Sequence, residues 1–343
     1  MITLVTSKIK KGSPDIALLQ SFEQYCAKHS HWKIKSGPVL FAPSSISSRL
    51  YTLFHGLLSP MLKKYTMKGA VISLGLPYHY YLFAKTFPYF TLNSSLKVLW
   101  TYDVWEPDYK SVENLVRKSE VKLLLLSSYQ ATQHFKNLKI ENCKVHWVPE
   151  TINPEDYKRK EWSERRINIL SFGRSWLNYH EKIVSGCIKN NINYVYQERN
   201  ETTDVAVQGL KRNLQFPTWS NFVDGLADSQ ICICFPRTVT HPKLAGNVST
   251  LTIRYLQAMA SKCLIVGIAP LEVKLLLSYN PVIEVDWKDP VGQIQEILEH
   301  PEDWQELIEK NYDTVCRLFH HKNAISQIDN LIKNSLLLKS NQL

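Results

Sequence analysis

The stretch that decides the fold of this chain is Asn247-Val-Ser-Thr-Leu-Thr-Ile-Arg-Tyr-Leu-Gln-Ala-Met-Ala-Ser-Lys-Cys-Leu-Ile-Val-Gly267. It predicts a polar loop, a helix over 250–262, a short break and a buried strand. The strand lies in a run of apolar residues without alternation, which is typical of strands covered on both faces in a parallel sheet. Ligands of doubly wound sheets bind at the carboxyl ends of the strands, so the loops at those ends are where a site is expected.

The start of the predicted helix favours an anionic ligand. Asn247, Ser249 and Thr250 are residue types that cap helices, and the first turn of a helix leaves backbone N–H groups without an intrahelical partner. These groups carry a partial positive charge that suits a phosphate. Arg254 lies one turn into the helix. The pattern therefore predicts a phosphate site, and an ordinary αβ unit without a ligand is the alternative.

Strand-like and helix-like segments alternate along both halves of the chain, which predicts parallel sheets with helices on both faces. In the first half the predicted elements are strands at 2–6, 39–42, 70–74, 97–102, 122–127 and 145–148, and a helix over 14–29. In the second half they are strands at 167–172, 194–197, 231–235, 264–268 and 282–285, and helices at 178–190, 219–229, 250–262, 270–279, 288–299, 303–319 and 323–338.

The segment 149–162 is the best candidate for a linker, because it contains two prolines and dense charge and has neither a helical nor a strand period. The predicted organisation is a first domain over 1–150, a linker over 151–162 and a second domain over 163–322. A C-terminal helix over 323–343 is predicted to cross back to the first domain. Two doubly wound domains joined in this way are expected to face a central cleft.

Composition indicates a globular cytoplasmic protein, since 44% of the residues are hydrophobic and 21% are charged. The seven cysteines form no metal-like pairs, and Cys232 and Cys234 share one face of a predicted strand, which favours core packing in a reducing compartment. Met1–Lys8 predicts a first strand instead of a signal peptide. No apolar run approaches the roughly 18–20 residues of a membrane-spanning helix. The chain contains neither Asp-x-Asp nor a His/Cys cluster, so no metal is expected, and it has no GxGxxG fingerprint for NAD.

The net charge of +10 belongs mainly to the first half. Residues 1–155 hold 19 Lys and Arg against 10 Asp and Glu, whereas residues 156–343 hold 22 against 21. A basic half suits lipid head groups, phosphorylated carriers or nucleic acid, although no nucleic-acid motif is present and that partner is not expected. Leu50–Tyr65 adds apolar residues at helical spacing next to Lys63 and Lys64. It predicts either a basic amphipathic helix for peripheral membrane contact or core packing.

Several motifs occur in one order along nearly the whole chain. They are Lys8–Asp15 after the first strand, Trp100–Pro107, Leu126–Phe135, Val145–Tyr157, Ile169–Arg174, Leu226–Pro236 and the helix 250–262. Together they resemble the GT-B fold glycosyltransferases, of the group 1 or CgeB-like kind. The resemblance implies an α/β fold of two Rossmann-like, doubly wound parallel-sheet domains. It also implies transfer of a sugar from a nucleotide-sugar donor to a hydroxyl of a glycan, lipid-linked or other acceptor, without a metal, in surface-polysaccharide or glycoconjugate biosynthesis.

The resemblance also implies where the donor binds. A nucleotide sugar carries two phosphates, and its departure adds charge that Arg, Lys and helix N-termini stabilise. The donor-binding residues implied are Gly173, Arg174, Arg237, Lys243, Asn247, Ser249, Thr250, Arg254 and Gln257.

On the acceptor side, Asp103 is the candidate general base, because it ends a buried strand and a carboxylate can take a proton from a hydroxyl. Glu106 is the reserve candidate for this role. Tyr102 and Trp105 would suit a sugar face. Gly12 and Ser13, in the loop after the first strand, complete the acceptor-binding set. A structural or helix-capping role for Asp103 stays open, and a retaining enzyme would need no protein base.

The sequence departs from the family pattern at three positions. The two glutamates that lie eight apart in the retaining pattern are Ser249 and Gln257, and the lysine five residues after Arg174 is Tyr179. The stereochemistry therefore stays open. So do two alternative functions, a non-catalytic GT-B-like binding protein and a basic-surface module that binds anionic lipid or nucleic acid.

Overall fold

The computed structural model describes residues 1–8, 14–39, 53, 57–58, 61, 65–75, 93–173, 176–196, 216 and 218–340. The chain divides into two compact units. The first comprises Met1–Pro149 and His321–Leu343, and the second comprises Glu150–Val205 and Arg212–His320. The boundary after Pro149 falls at the start of the charged, proline-containing segment. No helix within the described ranges is long and apolar enough to cross a membrane.

The first unit is built on a six-stranded sheet in the order β2-β1-β3-β4-β5-β6, in which every pairing is parallel. Its strands are β1 (Ile2–Lys8), β2 (Lys33–Val39), β3 (Thr66–Gly75), β4 (Asn93–Thr101), β5 (Leu123–Leu126) and β6 (Lys144–Trp147). Its helices are α1 (Pro14–His29), α2 (Tyr109–Ser119), α3 (Tyr129–Asn137) and, from the end of the chain, α12 (His321–Ser340).

The C-terminal helix α12 packs with α1 on one face of this sheet, and α2 and α3 cover the other face. Trp100 lies at the centre of the α1–α12 side, with its ring centroid 4.8 Å from that of Phe22 in an edge-to-face contact. Asp329 of α12 accepts a hydrogen bond from the indole N–H of Trp32 at 2.6 Å, and Ile328 is fully buried. These contacts make α12 part of the first unit.

The second predicted strand was misplaced. The sequence predicted a strand at 39–42, but β2 runs from Lys33 to Val39, and among the described strands it pairs with β1 alone. An edge strand with one neighbour tolerates alternating charged residues, as in Lys33-Ile-Lys35, so a search for a continuous apolar run passes over it. Residues 40–42 lie outside the described part of the chain.

Four of the described members of the apolar stripe in Leu50–Tyr65 face solvent, whereas Leu58 is half-buried. Leu53, Leu57 and Met61 are helical and are 66%, 74% and 63% exposed, and Tyr65 is also exposed. Core packing, one of the two expectations for this segment, therefore does not hold for these residues.

The second unit is built on a five-stranded sheet in the order β11-β10-β9-β7-β8, again with only parallel pairings. Its strands are β7 (Ile167–Ser171), β8 (Tyr194–Tyr196), β9 (Ser229–Cys234), β10 (Leu264–Gly267) and β11 (Ile283–Glu284). Its helices are α4 (Leu177–Lys189), α5 (Trp219–Ala227), α6 (Arg237–Thr240), α7 (Pro242–Ala245), α8 (Ile253–Ala260), α9 (Val273–Leu276), α10 (Pro290–Glu299) and α11 (Gln305–Leu318). Single 3-10 turns lie at Glu106–Asp108 in the first unit and at Pro154–Asp156, Trp162–Glu164 and Pro301–Trp304 in the second.

Helices cover both faces of the second sheet, with α5, α8 and α11 on one side and α4 and α10 on the other. Strand β9 is buried along its whole length, and the free thiols of Cys232 and Cys234 pack in the core as predicted. The chain runs outward from β7 to β8 and then returns to the other side of β7 to form β9. This reversal is the topological switch point at which doubly wound proteins bind their ligands.

Candidate functional site

The switch point of the second sheet brings together three groups from three elements. Gly173 follows β7 with a left-handed backbone at φ +71°, where glycine is favoured, and a Cβ placed there would lie 3.2 Å from Cδ of Arg254. The buried guanidinium of Arg254, on the first turn of α8, donates from Nη2 to the carbonyl of Phe235 at 2.9 Å. This bond fixes a cation at the carboxyl edge between β7 and β9.

The loop before α8 is tied to the segment after β10. The backbone N–H of Leu271 donates to Oγ of Ser249 at 3.0 Å. In return, Thr250 Oγ1 and the N–H of Leu251 both donate to Oε2 of Glu272 at 2.8 Å. Ser249, Thr250, Leu251 and Glu272 are all buried, so the carboxylate of Glu272 is shielded from water while it holds two consecutive residues of the loop.

Helix α8 begins later than predicted. Its N-cap is Thr252 and its first residue is Ile253, so none of the predicted capping residues Asn247, Ser249 and Thr250 caps it. The N–H of Ile253 donates to Oε2 of Glu150, a buried carboxylate, at 2.8 Å. Two backbone N–H groups at this helix start are therefore bound by carboxylates of the chain itself, because acidic side chains are stabilised at a helix N-terminus just as a phosphate is.

The hydroxyl of Thr252 is the unsatisfied polar group of this loop. It is 5% exposed, and Oγ1 has no hydrogen-bond partner among the described residues. A buried hydroxyl without a partner costs free energy, and in a native protein such a group often meets a ligand or an ordered water. Sequence reasoning did not select Thr252, since it looked for caps earlier in the loop.

The amide of Gln257 is bound by another side chain of the protein. Its Nε2 donates to the hydroxyl of Tyr157 at 3.2 Å, and both side chains are buried. Burial raises the pKa of Tyr157 well above its usual value, although the hydrogen bond from Gln257 lowers it. The predicted contact of Gln257 with a ribose hydroxyl stays a prediction, and its Nε2 is already engaged by Tyr157. Tyr179 is likewise buried, packed against Phe235 at 5.1 Å between ring centroids.

The remaining donor candidates lie around this edge. Arg237 is half-buried at the start of α6, Lys243 is exposed in α7, and Asn247 is exposed in the loop before α8. Arg174 lies outside the described residues. The structure thus brings Gly173 and Arg254 into contact, and it places Arg237 two residues after Phe235, whose carbonyl anchors Arg254.

In the first unit, the candidate base follows the carboxyl end of β4. Asp103 is half-buried and adopts a left-handed backbone at φ +52°, a conformation that Asn and Asp tolerate better than most residues. Glu106 is exposed in the 3-10 turn Glu106–Asp108.

The aromatic acceptor candidates are corrected by the structure. Tyr102 is 3% exposed, with its ring centroid 4.8 Å from that of Trp100, and Trp105 is 1% exposed. Neither ring offers a face to a sugar, because both pack inward beside β4. Gly12 and Ser13 lie outside the described residues.

The opposite edge of the second sheet holds a cavity of about 300 Å³, lined by four cationic side chains and three glutamates among others. Its cations are engaged structurally: Arg165 donates to the carbonyl of Ser229 at 2.5 Å, and Lys262 pairs with Glu309 at 2.7 Å. This cavity therefore lacks the uncommitted charge that an anionic ligand would need. Across the described ranges, no group of three or more His, Cys, Asp or Glu side chains is arranged to hold a metal ion.

Comparison with solved structures identifies the fold. Sucrose-phosphate synthase from Thermosynechococcus elongatus matches with a TM-score of 0.53 at 10% identity, covering 97% of this chain and 98% of that one. HepE of Anabaena, solved in complex with UDP, matches with a TM-score of 0.57 at 9% identity, covering 97% and 99% of the two chains. A glycosyltransferase from Rickettsia africae matches with a TM-score of 0.53 at 13% identity, covering 98% of each.

No protein-family model matches the sequence, and no curated protein matches it. The finer resemblance to CgeB-like members stays a prediction, because identities near 10% carry the fold alone. The structural neighbours are GT-B glycosyltransferases, and both sheets of this chain have the parallel, helix-covered architecture of that class. The chain therefore has the fold of the GT-B glycosyltransferases.

Proposed function

We propose that this protein is a glycosyltransferase that binds a nucleotide-sugar donor at the carboxyl edge of its second sheet. The observation that carries the proposal is the contact of Arg254 with Gly173 and the Phe235 carbonyl at the switch point between β7 and β9. HepE has been solved with UDP and with UDP-glucose, which supports a nucleotide sugar as the ligand of this fold. The acceptor is a hydroxyl of a glycan or a lipid-linked molecule.

The proposed chemistry needs charge stabilisation on one side and proton removal on the other. As the sugar leaves, negative charge grows on the terminal phosphate, and a fixed guanidinium stabilises it without reorganising. Arg254 supplies this cation, and Arg174 is the second candidate by sequence. Asp103 of the first unit would take the proton of the acceptor hydroxyl in an inverting reaction. These roles need no metal, and we place the reaction in surface-polysaccharide or glycoconjugate biosynthesis in the cytoplasm.

The second candidate function is a non-catalytic binding protein of the same fold. It is favoured by the loss of both acids of the retaining pattern, since Ser249 accepts a backbone N–H and Gln257 is bound to Tyr157. Nucleotide binding without sugar transfer to any acceptor would support this candidate.

The experiment that tests the proposal is a thermal-shift screen of the purified protein against UDP-, GDP-, ADP-, CMP- and dTDP-linked sugars and the free nucleotides. A ligand that binds only the folded state raises the melting temperature by mass action. We expect a shift with one nucleotide class, lost in Arg254→Ala. An unchanged melting temperature with every nucleotide would contradict both the transferase and the nucleotide-binding candidate.

We also infer peripheral contact of the first unit with an anionic bilayer. The support is the exposure of Leu53, Leu57 and Met61 at four-residue spacing on helical backbone. Residues 24–102 contain no Asp or Glu and nine Lys and Arg, so the sequence around this apolar stripe carries positive charge alone. Apolar residues next to basic ones match an anionic membrane surface, and such a location would bring a lipid-linked acceptor within reach.

Co-sedimentation with vesicles tests this contact. We expect binding to vesicles that contain phosphatidylglycerol and not to pure phosphatidylcholine. The double variant Leu53→Gln/Leu57→Gln should bind at least about tenfold more weakly, because two buried leucines are lost. Ile188→Gln, which changes an exposed side chain of α4 in the second unit, is the matched control. Equal binding of the double variant and the control would contradict the proposed contact.

A further inference from the structure

Two buried carboxylates hold the loop before α8, and neither belongs to that loop. Glu272 comes from the segment between β10 and α9, and Glu150 comes from the segment after β6. Both are almost completely buried, at 2% and 3% exposure. The loop and helix that they hold have lost the acids of the family pattern at Ser249 and Gln257.

Glu272 fixes the backbone on one side of Thr252. Its Oε2 accepts from Thr250 Oγ1 and from the N–H of Leu251, both at 2.8 Å. The neighbouring N–H of Leu271 donates to Oγ of Ser249, so three hydrogen bonds join residues 249–251 to residues 271–272. This arrangement sets the course of the loop as it enters α8.

Glu150 fixes the backbone on the other side of Thr252. Its Oε2 accepts from the N–H of Ile253, the first residue of α8. The residue between the two anchors is Thr252, whose buried hydroxyl has no partner among the described residues. Arg254 comes directly after Ile253 and is held to the Phe235 carbonyl. The two carboxylates therefore bracket the unsatisfied hydroxyl, and the fixed cation lies one residue beyond the second anchor.

Burying a carboxylate costs free energy even when it is hydrogen-bonded, and apolar residues often stabilise a fold equally well. Stability alone therefore does not account for two such groups on one loop. Their common effect is to fix residues 250–253 beside Arg254.

We propose that Glu272 and Glu150 are positioning residues for the donor. They act through the backbone of residues 250–253 and do not touch the sugar. The two carboxylates also place negative charge at the start of α8 and occupy the N–H groups of Leu251 and Ile253. The donor phosphates therefore contact Arg254 and Thr252 instead of these N–H groups. This inference rests on the proposed donor site.

The test compares Glu272→Ala, Glu272→Gln, Glu150→Ala and Glu150→Gln with the control Asp289→Ala. Asp289 caps α10 in the same unit by accepting from the N–H of Gly292 at 2.9 Å, so its loss removes an acidic helix cap away from the loop. Two quantities are measured: nucleotide affinity by calorimetry, and amide hydrogen exchange of the ligand-free protein. Thr250→Val, which removes one partner of Glu272, serves if Glu272→Ala does not fold.

We expect Glu272→Ala to bind nucleotide about tenfold or more weakly, because the loop loses two hydrogen bonds to a buried charged group. Glu272→Gln should fall between it and the wild type, since its amide oxygen can still accept from Leu251. We expect Glu150→Ala to weaken binding as well, with Glu150→Gln again intermediate. Amide exchange should accelerate at 249–253 in the Glu272 and Glu150 variants. In the control it should accelerate near Gly292, and the nucleotide affinity of the control should equal that of the wild type.

The inference would be overturned if both alanine variants and the control melted at lower temperatures but kept the nucleotide affinity of the wild type. Glu272 and Glu150 would then have only a structural role. Unchanged exchange at 249–253 would overturn the inference as well. A wild-type protein that binds no nucleotide would instead overturn the proposed function, and the donor role of both residues with it.

Discussion

The carboxyl edges of the two sheets have the same parallel topology, but their polar side chains differ in how deeply they are buried. At the second sheet, two polar side chains beside α8 are buried and bound: Arg254 to a carbonyl and Thr250 to Glu272. At the first sheet, Asp103 is half-buried and Glu106 is exposed. The second edge is preorganised by buried hydrogen bonds, whereas the carboxylates of the first edge are more exposed.

Under the proposed transferase function, this difference would suit the two halves of a group-transfer reaction. Charge that develops on a leaving phosphate is stabilised best by groups that are already fixed, since they need no reorganisation. A general base must instead reach the proton of an incoming hydroxyl, which requires an accessible carboxylate. The predictions that follow test each edge separately, beginning with the change expected to have the largest effect.

Gly267→Ala should disrupt the pairing of β9 and β10 at the carboxyl edge of the second sheet. Gly267 ends β10 at φ +156°, and a Cβ there would lie 1.8 Å from the backbone carbonyl oxygen of Cys234. Backbone cannot move aside as a flexible side chain can, so strands β9 and β10 would have to separate. We expect a loss of more than about 4 kcal/mol in the free energy of unfolding, measured by urea denaturation. A variant as stable as the wild type would show that this edge is not as tightly paired as described.

Asp103→Asn tests the first edge. Asparagine tolerates the left-handed backbone at this position, so the substitution removes the charge with little strain. We expect the transfer rate to fall by roughly 10²–10⁴, the usual contribution of a general base, while nucleotide affinity stays unchanged. Sugar transfer is measured with a labelled donor. An unchanged rate would assign Asp103 a structural role and favour a mechanism without a protein base.

Arg254→Ala tests the second edge at its cation. Removing a charged hydrogen-bond donor costs about 1.5–3 kcal/mol, so nucleotide affinity should fall roughly 10- to 100-fold by calorimetry. Arg254→Lys keeps the charge but not the planar fork, and it should recover part of the affinity. Equal affinity in the wild type and in both variants would place the phosphates elsewhere.

Asp228→Asn probes the far end of the second sheet and should have the smallest effect. Burial raises the pKa of Asp228, but hydrogen bonds from Arg166 and Lys160 outweigh it and hold the pKa below the usual range. A lowered carboxylate pKa stabilises the fold above the pKa of the unfolded chain, and this contribution disappears as the pH falls through the folded value.

The difference in unfolding free energy between the wild type and Asp228→Asn should therefore be constant near neutral pH and shrink below about pH 4. Asp224→Asn, in an exposed pair with Lys158, is the control. A difference that grows on acidification would contradict the ion-pair account, and nucleotide affinity should not change in either variant.

Local pattern predicted the buried strands well, because β10 is a continuous apolar run and β7 and β9 are mainly apolar. It failed for β2, whose alternating lysines and isoleucine are acceptable only at a sheet edge. The structure also placed the α8 cap at Thr252 instead of at the three residues predicted.

The candidate site was predictable where a residue lies in a local motif that the sequence pattern shows. Gly173 and Arg254 were selected from sequence, and the structure brings them into contact. Glu150 and Glu272 reach the same loop from positions about a hundred and about twenty residues away, so no spacing rule could find them. Tyr102 and Trp105 were selected for their aromatic character, but burial depends on tertiary packing that sequence pattern does not give.

The central claim is that a nucleotide sugar binds at the carboxyl edge of the second sheet, beside β7, β9 and α8. Amide hydrogen exchange with and without the nucleotide that gives the largest thermal shift tests it most directly. We predict slower exchange at 171–173, 235–237 and 247–254, with the edge around Arg165 and Glu309 unchanged. Protection confined to that opposite edge, or to the first unit, would contradict the claim.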